Sequence, residues 1–168
     1  MSKPDKNNLT FKYPMIKWAK DLFPLCRSLT GEGTRSTLSY FKKLNKEFKV
    51  IKFKSGTKVF DWKIPNEWII NDAYIQHKSK KKFAEFKKTN LHVVGYSYPI
   101  NKKNTKKKLL KNIYTQKSQP NSIPYVTSYY KKRWGFCLSE KQKKLLPKGE
   151  YKVFIDSKFK KGSLDMMH

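Results

Sequence analysis

A single guanidinium among aromatic rings is where this chain's side chains could best do chemistry. Residues 121–139, NSIPYVTSYYKKRWGFCLS, set Tyr125, Tyr129, Tyr130, Trp134 and Phe136 around Arg133 and Gly135. An arginine fork can hold a carboxylate through two parallel hydrogen bonds. Tyr129 and Trp134 would add apolar walls with a polar tip on each. Arg133, Trp134 and Tyr129 are therefore the candidate substrate-binding residues. An arginine stacked on a neighbouring ring as a structural cation–π contact accounts for the same pattern equally well. Rings of this size bury about 150–250 Å² each, so the block must form a pocket wall or the core of a small domain.

Nothing else in the chain has the spacing of a reactive centre, and no catalytic residue is assigned. The histidines are His77, His92 and His168, without the short-spaced ligand pairs of a zinc site, so no metal ligand is expected in this chain. Cys26 or Cys137 with His92 would make a nucleophile pair, but both thiols lie among apolar neighbours and read as small hydrophobes. Gly31-Glu32-Gly33 has no Lys-Ser/Thr at the phosphate-loop spacing and reads as a connection between helices. Asp61, between Phe60 and Trp62, either holds a turn or orients Arg133, and the turn is the preferred reading. Glu67, Asp72, Glu85 and Asp156 are the remaining carboxylates of interest.

These residues need a scaffold, and the composition provides one. In 168 residues, 38% hydrophobic and 15% aromatic content excludes a disordered chain and suits one domain or two small ones. The net charge of +27 comes almost wholly from lysine, with arginine only at positions 27, 35 and 133. Lysine offers a point charge where base reading favours the arginine fork, and the lysines are spread through every segment. The expectation is nonspecific, salt-sensitive association with polyanions and no specific nucleic acid. No apolar run has the length of a membrane span or a signal peptide. Two cysteines fit a reducing compartment, so a cytoplasmic location is expected.

Along the chain, Met1–Thr10 reads as a frayed polar start. Met15, Ile16, Ala19, Leu22 and Phe23 then recur at helical spacing up to about Cys26, with Pro24 marking a kink or last turn. A second helix starts near Gly33 or Thr34 and carries Leu38, Phe41 and Leu44. FKVIKFK (48–54) alternates as a half-buried strand. Short strands are expected at 73–76 and 83–86, and a stronger one at 91–98, LHVVGYSY. Thr105 caps a short helix, another spans 140–145, and EYKVFIDS (150–157) is a strand expected to return to the layer begun by 49–53.

Four segments in order resemble one family: LFPLCRSLTGEGTRSTL (22–38), SGTKVFDWKIPNEW (55–68), NLHVVGYSYPIN (90–101) and IPYVTSYYKKRWGFCLS (123–139). They look like the bacterial aminopeptidase-like proteins, which have a zinc exopeptidase-type fold, a small inserted domain and a C-terminal winged helix. EYKVFIDSKFKKGSL (150–164) resembles the family's passage from insert back to peptidase domain. The resemblance implies an α/β (α+β) chain: residues 1–57 and 150–168 in an incomplete peptidase-like layer, and residues 58–149 in a β-rich insert. It also implies zinc and a peptide or aminoacyl substrate for the full-length family. The family's metal-ligand motifs lie beyond the segments matched, so no cofactor is assigned within this chain. The expectation is a truncated N-terminal fragment of an aminopeptidase-like hydrolase, inactive alone. The rival readings are a non-catalytic peptide-, sugar- or protein-binding module and a nonspecific polyanion-binding basic protein.

Overall fold

The structure is a computed structural model that describes residues 6–168, a mixed α/β architecture as the motifs imply. Helix α1 (Lys6–Leu22) begins earlier than its apolar periodicity indicates and accommodates Pro14. Of the expected frayed start, residues 6–10 are helical and residues 1–5 lie outside the described residues. Helix α2 (Glu32–Leu44) lies against α1 through a T-shaped Trp18–Phe41 contact and a Tyr40 hydroxyl that donates to Asp21 at 2.7 Å. The glycines at its start, Gly31 before it and Gly33 in its first turn, have separate reasons. Gly31 has φ +106°, a region L side chains avoid, and a Cβ on Gly33 would collide with the Cys26 carbonyl.

Two eleven-residue strands make the centre of the molecule. β4 (Glu67–His77) and β9 (Glu150–Lys160) pair antiparallel from Glu67↔Lys160 to His77↔Tyr151, with an irregularity between Ile70 and Asp72. β5 (Lys82–Phe83) and β6 (Ile100–Thr105) complete the sheet in the order β5-β4-β9-β6. Strand alternation turns Ala73, Ile75, Tyr151, Val153 and Ile155 to one face, where all are buried. That face is covered by α3 (Lys106–Leu110), by the parallel pair β7 (Ile113–Tyr114) and β8 (Phe136–Cys137), and by α4 (Glu140–Lys144). Leu109, Ile113, Phe136, Leu138 and Leu146 close the core. The Thr105 hydroxyl accepts from the Lys108 N–H, and Ser139 with Gln142 forms a capping box on α4.

Three strand expectations are corrected, the first being 83–86, of which only Phe83 is in a strand because Ala84 turns the chain with φ +49°. Residues 91–98 form no strand: Asn90–His92 is a 3₁₀ turn, Val93 and Gly95 make single bridges, and Tyr96 has φ +63°. The run is apolar because Val93, Val94 and Tyr96 are buried between the loop 121–139 and the sheet, not because it belongs to a ladder. Nor does β9 return to the first layer, since β4 and β6 occupy both of its edges. The strand that returns is β10 (Ser163–Met167), antiparallel to β1 (Val50–Lys54) from Val50↔Met167 to Lys54↔Ser163. Between them, β2 (Lys58–Val59) and β3 (Trp62–Lys63) form a small hairpin with Asp61 exposed in its turn.

The β1–β10 pair is open in a way the central sheet is not. Neither strand has a second partner among the described residues. Register places Ile51 opposite Met166 and Phe53 opposite Leu164 on one face, and Ile51, Phe53 and Met166 are 44%, 39% and 52% exposed. Unpaired edges with an apolar face recruit other chains. The purified 168-residue chain should therefore self-associate, with Ile51→Lys combined with Met166→Lys shifting it toward monomer. Light scattering coupled to size exclusion checks this; a monodisperse unmodified monomer would contradict it.

Candidate functional site

Glu67, the first residue of β4, is a buried acid in a polar clamp. Arg35, on the first turns of α2, donates from Nη1 to Glu67 Oε1 at 2.6 Å and from Nη2 to Oε2 at 3.1 Å. The Ser163 N–H adds a third bond at 3.1 Å, and Lys160 Nζ stands 3.6 Å away. The Arg35 fork holds the Glu67 carboxyl below its ordinary range; burial opposes this, and the Ser163 N–H reinforces it. Arg35 Nη1 also lies 3.8 Å from the buried Asp165 carboxylate on β10. One guanidinium thus joins α2, the central sheet and the β1–β10 pair. Sequence reading missed this junction, although arginine at only three positions in a lysine-rich chain was a signal for it.

Above the junction lies a cleft of about 410 Å³. Its walls carry the rings of Tyr96, Tyr98, Tyr129, Tyr130 and Phe159, with Asn66 and Ser128 between them and Lys131 and Lys132 at the rim. Tyr129 meets Tyr96 edge to face at 4.7 Å, and Tyr98 lies tilted against Phe159 at 4.7 Å. Tyr96 fixes the floor. It stacks on Trp68 at 6.0 Å, its hydroxyl shares a 2.6 Å hydrogen bond with Thr30, and its left-handed backbone is unusual for a bulky residue. Burial, with the neighbouring Tyr125 hydroxyl second, raises the Tyr129 hydroxyl above its ordinary value, so it stays a neutral donor.

The three candidate binding residues do not converge. Tyr129 lines the cleft. Arg133 turns back onto the fold: Nη2 donates to the Thr127 carbonyl at 2.7 Å, the guanidinium sits 5.5 Å over the Tyr114 ring of β7, and Nε is buried without a partner. Trp134 is half-buried against the core. The carbonyl of Arg133 accepts from the Tyr98 N–H at 3.1 Å, so this part of the loop frames the cleft from behind.

Histidines and cysteines serve the fold. Ser79 N–H donates to His77 Nδ1, which leaves Nε2–H to donate to the Lys148 carbonyl at 3.1 Å. His92 Nδ1 pairs with the main-chain carbonyl of Cys137 at 2.9 Å, not with its thiol. Burial pushes the Cys137 thiol up to about 12 and pulls His92 down, the opposite of an activated nucleophile and base. Among the described residues no three His, Cys, Asp or Glu side chains gather as metal ligands. With both His77 nitrogens occupied and His92 bonded to main chain, these residues do not fit the zinc that the resemblance implies.

The profile of a family described as a domain of unknown function, DUF2172, matches residues 67–158. The chain belongs to the DUF2172 family. It is 43% identical over 145 residues to a Clostridium acetobutylicum protein provisionally named as a polysaccharide biosynthesis protein with an aminopeptidase-like domain. That alignment covers 86% of this chain and 33% of the relative. The fold also superposes, with TM-score 0.87 and 40% identity, on a crystal structure provisionally named as a peptidase from the same organism, over 95% of this chain and 38% of that one. The chain thus spans about a third of the length of the proteins it matches, and the aminopeptidase-like resemblance agrees with both.

The DUF2172 segment starts at Glu67 and ends inside β9, so it takes in the four-stranded sheet and its cover. The cleft lies within it except for Asn66 and Phe159, each one residue outside. Arg35 on one flank and the Ser163 N–H on the other hold Glu67, the first residue of the DUF2172 segment. No described helix is long and apolar enough to cross a membrane.

Proposed function

We propose that this DUF2172 chain is the substrate-recognising portion of an aminopeptidase-like hydrolase acting on an amide bond, and that zinc, where the family uses it, is held by residues outside those described. The observation that carries the reading is the 0.87 TM-score match, at 40% identity, to a structure named as a peptidase. In this reading residues 58–160 form the insert, while α1, α2, β1 and β10 belong to the peptidase-like layer. Tyr129 contacts substrate from the cleft, and Arg133 and Trp134 hold its loop. Alone the chain is inactive in this reading, since no metal-ligand cluster gathers among the described residues and His77 and His92 are committed to main-chain and hydroxyl partners. Two free cysteines, one half-buried and one buried, suit the proposed cytoplasmic setting.

Two assays test the proposal together. The chain, incubated with aminoacyl p-nitroanilides and added zinc, should release no nitroaniline above background. Chelator-sensitive release would overturn the claim of inactivity. Grafted in place of the matching third of the Clostridium relative, the chain should retain whatever chelator-sensitive amide hydrolysis the intact relative shows. A folded graft that hydrolyses nothing the relative hydrolyses would sink the recognition role.

A further inference from the structure

The ligand class of the tyrosine-lined cleft can be read from its chemistry. Three features combine there. Five aromatic rings line it, Tyr129 standing edge-on to both Tyr96 and Tyr130 and Tyr98 tilted against Phe159, with Tyr130 77% exposed. Two lysines stand at the rim, and no aspartate or glutamate lines the cleft. Lys132 Nζ rests 4.9 Å over the Tyr98 ring, an ammonium held by a cation–π contact that a carboxylate can displace. Asn66 and the hydroxyls of Tyr98 and Tyr130 add donors and acceptors between the rings, while the Tyr96 hydroxyl is taken by Thr30.

An extended peptide docking by main-chain pairing needs free backbone groups on the receptor. Much of the wall backbone here is already paired: Tyr98 N–H with the Arg133 carbonyl, Gly95 N–H with the Val126 carbonyl, and Ser128 N–H with the Gly95 carbonyl. What the cleft offers is ring faces, hydroxyls and positive charge. A pyranose matches that set, because its C–H faces stack on the electron-rich ring faces and its hydroxyls lie at the edges.

We propose that the cleft is a carbohydrate subsite for a carboxylate-bearing sugar of the hexuronate class, its ring stacked on the exposed Tyr130 with Tyr129, nearly perpendicular to it, closing one side, and its carboxylate held by Lys131 and Lys132. The inference rests on the reading of the cleft as the recognition element of the hydrolase, and its test reads binding rather than hydrolysis, so either can fail without the other.

The experiment uses the 168-residue chain, digalacturonate as probe, and saturation-transfer NMR with calorimetric titration. Digalacturonate should bind at least about tenfold tighter than neutral digalactose, the loss expected from one charge-assisted contact. Tyr130→Ala and Lys132→Gln, both at exposed positions that leave the fold intact, should each weaken binding about tenfold or more. Lys103→Gln with Lys152→Gln, remote lysines that test bulk charge, should leave affinity unchanged. The proposal is overturned by any of four results: no digalacturonate binding, equal affinity for the neutral sugar, weakening by the remote lysine pair as large as that by Lys132→Gln, or an acidic pentapeptide that binds more tightly than digalacturonate.

Discussion

Arg35→Met is expected to destabilise the chain by about 3 kcal/mol, the cost of leaving a buried carboxylate without its partner. Glu67 is 3% exposed and has Arg35 as its bidentate donor. Methionine keeps the aliphatic stem and removes the guanidinium, so the lost interaction outweighs lost packing. A domain of this size should melt roughly 6–12 °C lower, given about 2–4 °C per kcal/mol. Thermal denaturation followed by circular dichroism measures it; a drop below about 2 °C would show that Glu67 is not held as described.

The pH dependence of the same junction has a fixed sign. The Glu67 carboxyl is lowered in the folded state, so its contribution is present above the unfolded carboxyl value of about 4.3 and is lost as pH falls through the folded value. His92 is also lowered, chiefly by burial. Its contribution is full above about pH 6.5 and declines below, as the unfolded imidazole gains a proton that the folded one resists. Acid unfolding should therefore begin near neutrality and steepen in the carboxylate range. The variant Glu67→Gln should make the steep limb shallower, with Asp21 and Glu140, both also lowered by their partners, supplying what is left of it, and should leave the neutral-range limb unchanged in a circular-dichroism pH titration.

Gly162→Ala should be the second large loss, and it should depend on Glu67. A Cβ at position 162 would overlap the Glu67 carboxyl group, which Arg35 and the Ser163 N–H hold in place. Overpacking against a clamped side chain costs about 1–3 kcal/mol. In a Glu67→Ala background the obstruction is gone, and the same change should cost less than about 0.5 kcal/mol. A double-mutant cycle by urea denaturation measures the difference. Additive losses would mean that Gly162 is required for its own backbone conformation rather than for room beside the carboxylate.

Local patterns gave a sound account of elements whose reasons are local. α2 is marked by the Gly31-Glu32-Gly33 turn and the spacing of Leu38 and Phe41, and α3 by Thr105 at its cap. β9 reads as a strand because Tyr151, Val153 and Ile155 alternate with outward residues. The run 91–98 misled because β-branched and aromatic residues look alike whether they line a ladder or fill a core from every side. β10 was missed: five residues with two apolar positions become a strand only when β1 lies beside them.

The candidate site divides along the same line. The aromatic density of 121–139 points to a pocket wall, and Tyr129 is one. Whether Arg133 faces a ligand or its own loop depends on the position of Thr127 and Tyr114, which neighbouring residue types do not encode.

What the amino-acid order determined by itself was the set of elements, their caps and turns, and the peptidase-like ancestry carried by short motifs, all of which rest on interactions within a few residues. Only the tertiary structure decided which strand pairs with which, that Arg35 reaches Glu67 across 32 positions, and that Tyr96, Tyr129 and Phe159 share one cleft. Those are long-range choices, set by which burial and charge pairings can be satisfied together in three dimensions.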